Sequence, residues 1–383
     1  MKILLFANTD WYLYNFRLAQ ALALRARGDE VVLVSPDGAY VSRLQGMGFR
    51  WICFPLSRRG LNPLKEFSAL MRLVRLYRRE KPDLVHQFTV KCVLYGSLAC
   101  SMLGIRSVVN SIEGLGYVFT EGKRGRKWLR GHVKLIYRLV LPRTWVIFQN
   151  PDDQAYFIKN HLVNQKRMIL IRSVGVDIHK FCPHPEMEGP PLIILPARLL
   201  WDKGVGEFVA ASRQMRDAGC RARFALVGDI DNGNPASVQI AQLREWEKEG
   251  VIEWRGWKED MQDVYAQAAI VCLPSYYREG VPKTLIEAAA CGRPIVTSDM
   301  PGCREVVRHG ENGYLVPPRD APALAEALMD LLQNPDTRSK MGRCGRAIAE
   351  KEFSMDLVNS QTLAVYRFCI NDEQIIPGKT SVD

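Results

Sequence analysis

Short apolar runs alternate with longer stretches in which apolar residues recur every three or four positions, and the alternation continues along most of the chain. Runs at 2–7, 30–35, 50–55, 84–87, 107–110 and 145–149 predict strands, as do those at 192–197, 223–227, 252–255, 270–273, 294–297 and 314–316. Amphipathic helical stretches lie between them, for example 16–27 and 63–79. Strands of this kind, each followed by a helix, predict an α/β fold with parallel sheets and right-handed crossovers. The series is interrupted by Phe181-Cys182-Pro183-His184-Pro185-Glu186-Met187-Glu188-Gly189-Pro190-Pro191, a proline-rich segment that reads as a linker between two halves. Two domains are therefore expected, 1–175 and 176–353, with a last helix near 355–369. After Ile370 the chain turns polar, and a frayed end is expected there.

Composition narrows the function classes. The chain has 383 residues and ten cysteines with no Cys-x-x-Cys pair. Several of these (Cys53, Cys92, Cys272, Cys291) sit in apolar runs, which indicates neither a zinc site nor a disulfide framework. The opening apolar run turns polar at Asn8-Thr9-Asp10, too soon for a signal peptide, and no apolar stretch approaches the roughly 20 residues that span a bilayer. A reducing, cytosolic compartment is expected, with any membrane contact confined to the surface.

Charge is unevenly divided. Residues 1–175 carry 28 Lys and Arg against 11 Asp and Glu, a net of +17, and residues 176–383 carry 24 against 30, a net of −6. Such asymmetry points to an anion-facing first half. Within it, Arg126, Lys127, Arg130, Lys134 and Arg138 interleave with Trp128, Leu129, Val133, Ile136 and Tyr137. That pattern suits a helix lying in an anionic membrane interface, and equally a solvated surface helix. Nucleic acid is not expected as a partner, because no binding module or zinc spacing is present.

The candidate chemistry lies in the second half. Glu279 and Glu287 bracket Gly280-Val281-Pro282-Lys283, which reads as a tight turn into a helix running to Cys291, with Gly292 as its stop. Backbone N–H groups at that helix start can seat an anion, and carboxylates beside it can grip hydroxyls. The same spacing also fits a helix-capping acid next to an unrelated surface glutamate. Upstream, the strand at 192–197 runs into a loop holding Arg198 and Lys203 before a helix. Two cations on a strand-to-helix turn, at the carboxyl edge of a parallel sheet, suit a diphosphate.

With Arg-x4-Lys followed by Glu-x7-Glu, the chain resembles glycosyltransferase family 4, retaining enzymes of the GT-B fold, over nearly its whole length. Other matching segments are Ser173-Val174-Gly175-Val176-Asp177, where many relatives have asparagine in place of Ser173, Val227-Gly228-Asp229, and His309-Gly310-Glu311-Asn312-Gly313-Tyr314. The resemblance implies two Rossmann-like domains with parallel sheets facing a central cleft, and a C-terminal helix (354–370) that packs back on the first domain. It implies that Arg198 and Lys203 neutralise the leaving nucleotide diphosphate, that Glu279 faces the donor sugar, and that Glu287 holds the ribose. Gly228 and the Gly280, Val281, Pro282 and Lys283 turn would complete the nucleotide-sugar site. No metal or cofactor is expected.

A narrower likeness appears in Trp11-Tyr12-Leu13-Tyr14-Asn15-Phe16-Arg17, His86-Gln87-Phe88-Thr89-Val90-Lys91, Gly114-Leu115-Gly116-Tyr117-Val118-Phe119 and the stretch from Gly228 to Pro235. These resemble the branch that extends polyprenyl-diphosphate-linked sugars, including N-acetylgalactosaminyltransferases of bacterial glycan assembly. The resemblance implies a nucleotide-sugar donor, linked to uridine diphosphate, and a lipid-linked sugar diphosphate acceptor as partners. The implied location is the inner face of the cytoplasmic membrane.

Lys91, Gly114, Gly116, Lys123, Arg124, Arg126 and Lys127 are candidates for the acceptor side. Gly114 and Gly116 permit close backbone approach, and also simple turns. Many relatives place a histidine near the donor sugar, which makes His86 a candidate beside a purely structural role. Asp229-Ile230-Asp231 has the form of a metal-binding pair but also the composition of a turn. Without Gly-x-Gly-x-x-Gly after the first strand, a dehydrogenase is excluded. Two other classes stay open: a same-fold transferase for a soluble acceptor, and a non-catalytic basic membrane or nucleic-acid binder.

Overall fold

The computed structural model describes residues 1–56, 62–114, 124–278 and 280–372, with side chains from residue 130 onward in the helix that begins at Arg124. The chain divides into two compact units, one of Met1–Val174 with Asp356–Asp383, the other of Gly175–Met355.

Among the described residues, unit one holds a seven-stranded parallel sheet: β1 (Lys2–Phe6), β2 (Glu30–Ser35), β3 (Arg50–Cys53), β4 (Leu84–Phe88), β5 (Val108–Ile112), β6 (Trp145–Phe148) and β7 (Met168–Leu170). Their order is β3-β2-β1-β4-β5-β6-β7. All five residues of β4 and of β5 are buried, as strands covered by helices on both faces must be. β7 is a strand beyond the six the pattern predicts. Chain direction away from β1 reverses between β1 and β4, so the crevice where such sheets take ligands lies beside the ends of those two strands.

Local chemistry sets the helix limits. For the helix Pro63–Glu80, the Asn62 side chain accepts from the amides of Leu64 and Lys65, and proline occupies the first turn. It stops at Lys81, which is left-handed (φ 47°) before Pro82. The last helix, Met355–Ile370, places Val358, Val365, Tyr366 and Cys369 in the core beneath β1 and β4 with Ile3, Leu5 and Leu84.

Unit two holds β8 (Leu192–Pro196), β9 (Arg223–Val227), β10 (Glu253–Trp254), β11 (Ile270–Leu273), β12 (Ile295–Ser298) and β13 (Gly313–Val316), all parallel. Their order is β10-β9-β8-β11-β12-β13, which puts the reversal between β8 and β11. The proline-rich segment expected as a linker lies inside this unit. Phe181 is buried in its core, and Arg346 Nη1 donates to the carbonyls of Ile178 and Phe181 at 3.0 and 2.8 Å. Arg293 Nη2 donates to the His184 carbonyl at 2.9 Å. Arginines from far downstream thus satisfy backbone oxygens that the prolines leave outside any sheet.

Candidate active site

The crevice of unit two is built from the loops after β8, β9 and β11. Arg198 is the second residue after β8. Its Nη1 donates to Asp231 Oδ2 at 2.8 Å, while its side chain stays about half exposed (49 %). Asp231 is held in place by its own loop: its amide donates to Ser237 Oγ at 3.0 Å and its carboxylate accepts from Asn234 Nδ2 at 3.1 Å. The Asp229-Ile230-Asp231 sequence therefore works as a turn that meets Arg198. Among the described residues no group of three or more His, Cys, Asp and Glu side chains converges as a metal site would.

Two glycines let these loops close on one another. Gly228 has φ 143°, and a Cβ there would lie 2.0 Å from the Ala197 carbonyl oxygen. Gly204, at φ 78°, starts the helix Val205–Asp217, and its Cβ would lie 2.2 Å from the Pro274 carbonyl oxygen. A side chain at either place would push apart the loops that carry the candidate residues. The Asp202 carbonyl accepts from the Tyr276 amide at 3.0 Å and from Ser275 Oγ at 3.3 Å. These bonds draw the turn holding Lys203 onto the segment after β11, where Lys203 Nζ lies 6.0 Å from the centre of the Tyr277 ring.

Beyond that segment, Gly280, Val281 and Pro282 are buried, and Pro282 caps the helix Lys283–Ala290. Glu287 sits on the fifth residue of this helix and is 8 % exposed. Lys283 Nζ lies 3.4 Å from its Oε1, and the buried Tyr265 hydroxyl donates to its Oε2 at 3.0 Å. Burial, and then the charge of Glu287, push the Tyr265 phenol well above its usual range. Tyr265 therefore stays a neutral donor, and the carboxylate is fixed by one cation and one hydroxyl. Glu279 lies outside the described residues.

Fixed cations, a helix start and a held carboxylate at a sheet's reversal point suit a nucleoside diphosphate. Residues 2–150 match the family described as "Glycosyl transferase 4-like", and residues 190–334 match "Glycosyl transferases group 1". The chain is a glycosyltransferase. It is 27 % identical over 356 residues, 90 % of this chain and 92 % of the relative, to the N,N'-diacetylbacillosaminyl-diphospho-undecaprenol alpha-1,3-N-acetylgalactosaminyltransferase of Campylobacter jejuni. It is 24 % identical over 293 residues, 72 % of this chain and 73 % of the relative, to the UDP-Gal:alpha-D-GlcNAc-diphosphoundecaprenol alpha-1,3-galactosyltransferase of Escherichia coli. Among solved structures, sucrose-phosphate synthase from Thermosynechococcus elongatus superposes with a TM-score of 0.80 at 21 % identity, covering 97 % of this chain and all (100 %) of that one. Anabaena HepE in complex with UDP superposes at 0.76 and 18 % identity, over 96 and 100 % of the two chains. These likenesses place the fold of the glycosyltransferase as GT-B.

Unit one of the glycosyltransferase treats its candidates unequally. His86 is 0 % exposed; its Nδ1 meets the Tyr366 hydroxyl at 2.7 Å and its Nε2 meets Ser111 Oγ at 2.8 Å. Burial, and then the Arg17 charge, hold its pKa well below the usual value. In this structure neither ring nitrogen is open to a substrate. Lys91 Nζ is paired with Glu66 Oε1 at 2.9 Å. Gly114, two residues past the end of β5, has φ 97°, whereas Gly116 and Lys123 lie outside the described residues. Arg124, Arg126 and Lys127 lie in the helix Arg124–Val140.

Sequence reasoning missed three partners. Two are Tyr265 and, as the partner of Arg198, Asp231; both are identified only by contacts across elements. Arg17 is another, quoted only within a longer segment. It ends a π-helical turn (Leu13–Arg17), is buried, stacks 4.2 Å from the Phe88 ring centre, and pairs with Tyr12 and Glu113. Burial works against its charge, but Tyr12 and Glu113 outweigh that and hold the guanidinium above its usual range. A π-turn at the reversal point was the available signal only in structure, since no residue pattern marks one.

Proposed function

We propose that this glycosyltransferase moves a hexose or N-acetylhexosamine, with retention, from a uridine-diphosphate sugar to a polyprenyl-diphosphate-linked sugar in bacterial surface-glycan or protein-glycosylation assembly. The observation that carries the reading is the meeting of the Arg198–Lys203 turn with the segment before Lys283 at the reversal point of one sheet. Arg198 and Lys203 take the diphosphate, the Gly280 to Lys283 turn offers amides to it, and Glu287 holds the ribose. Glu279 orients the sugar, a role taken from the resemblance. As the anomeric carbon–oxygen bond breaks, charge grows on the departing phosphate, and fixed cations there lower the barrier. The acceptor hydroxyl attacks the same face and passes its proton to that phosphate.

The acceptor class is supported by the two relatives whose names specify diphosphoundecaprenol-linked sugars. Recruitment to the inner face of the cytoplasmic membrane is supported by the helix Arg124–Val140, which exposes Leu135 and Leu139 beside Arg138. Among the described residues no helix is long and apolar enough to cross a membrane. Nucleoside-diphosphate release from a panel of donors, with and without a polyprenyl-diphosphate sugar, tests the proposal. Release that rises only with the lipid-linked acceptor supports it. Equal turnover on a soluble sugar alone, or none with any donor, overturns it.

A further inference from the structure

The helix Pro63–Glu80 begins with two large apolar side chains in water: Leu64 is 81 % exposed and Phe67 63 %. Scattered exposed leucines are ordinary, but these two sit one turn apart on a helix that has a well-buried opposite face of Leu73, Leu76 and Tyr77. Towards the helix C-terminus the same side of the helix continues at four- and three-residue spacing through half-buried Met71 to exposed Arg75 and Arg78. Lys65 is exposed between the apolar pair, and the neighbouring acid, Glu66, is already neutralised by Lys91.

We propose that Leu64 and Phe67 insert into the acyl boundary of an anionic bilayer, as an anchor separate from the helix Arg124–Val140. An apolar tip followed by a one-sign cationic stripe matches a lipid surface, where side chains leave water just below a layer of anionic headgroups. A second copy of the chain is a poor occupant, because it would bring the same cations face to face. Position supports the choice. The helix follows β3, so its first turn stands at the carboxyl edge of the unit-one sheet, the edge where such sheets take ligands. A sugar diphosphate held on a membrane-embedded chain would arrive at that edge. The inference rests on the lipid-linked acceptor proposed above and adds the surface that meets the lipid.

The test compares wild type with Leu64→Ser/Phe67→Ser in flotation with phosphatidylcholine vesicles, with and without phosphatidylglycerol, and in turnover of a short-chain, water-soluble acceptor. The double variant should bind anionic vesicles about 10- to 100-fold more weakly, a loss that persists at high salt, because the removed contribution is apolar. Its turnover of the short acceptor and its melting temperature should match wild type. Unchanged vesicle binding overturns the anchor and leaves the acceptor reading standing. Equal loss on the short acceptor also overturns it, by placing the residues in the acceptor site or the fold. If wild type transfers to no lipid-linked acceptor, the underlying reading falls instead.

Discussion

Arg198 and Asp231 form an ion pair of 2.8 Å between the loops after two adjacent strands, β8 and β9. The arginine is half exposed, so this pair contributes little to stability and leaves the guanidinium available to a stronger anion. Arg198→Ala should lower kcat by about 10²- to 10³-fold with little change in melting temperature. Near-normal turnover in that variant would remove the diphosphate role from Arg198.

If Arg198 takes the diphosphate as proposed, Asp231 competes with that ligand for the guanidinium. Asp231→Asn should keep kcat within about threefold of wild type, and donor KM should fall or hold, since a neutral amide binds arginine less strongly than a carboxylate. Activity should also survive a chelator. Strong loss with chelator, restored by a divalent ion, would reassign the Asp229-Ile230-Asp231 turn as a metal site.

Tyr265 acts through Glu287. Removing its hydroxyl leaves a buried carboxylate short of one donor, a loss of about 1–3 kcal/mol. Tyr265→Phe should therefore raise the donor KM by roughly tenfold with a smaller effect on kcat. Loss confined to kcat would show that the pair serves the chemical step instead of donor binding.

The lowered pKa of buried His86 predicts that unit one is sensitive to acid. Its folded pKa is lowered, so the native state resists a proton that the unfolded chain accepts once pH falls below about 6.5. Stability contributed by the neutral ring is complete above that value and drains away as pH falls toward the lowered folded pKa. The melting temperature should drop between pH 7 and 5, and His86→Gln should flatten that slope even if it melts lower throughout. An unchanged slope would place the acid sensitivity elsewhere.

Gly228 and Gly204 are steric requirements. Alanine at Gly228 meets a carbonyl oxygen at 2.0 Å from a backbone geometry that L-residues rarely adopt. Gly228→Ala should destabilise unit two by about 2 kcal/mol or more, read as a lower thermal midpoint. A midpoint within about 1 °C of wild type would show that the loops yield instead.

The strands were legible because helices cover both sheet faces, which leaves near-continuous apolar runs between polar turns. β7 (Met168–Leu170) lies at a sheet edge and escaped, although Met168-Ile169-Leu170-Ile171 is a short apolar run. The prolines around Pro183 suggested a linker, yet Arg293 and Arg346 tie that stretch into unit two from more than a hundred residues downstream. The site divides the same way. Arg198, Lys203 and Glu287 could be placed because each has a fixed offset from a strand end or a helix start. Their partners Asp231 and Tyr265 could not, because side chains that meet across elements leave no periodic trace. His86, a candidate beside a structural role in the sequence, is buried against Tyr366, a contact that no sequence pattern announces.

Because Tyr366 and its helix complete the core that holds His86, unit one cannot finish folding during synthesis until the final stretch of chain has left the ribosome. The intervening segment has its own last core residue, Phe353, in hand before Val358, Val365, Tyr366 and Cys369 are made, and needs none of them to close. Released chains truncated after residue 355 should resist protease over the second unit while the first stays open to cleavage.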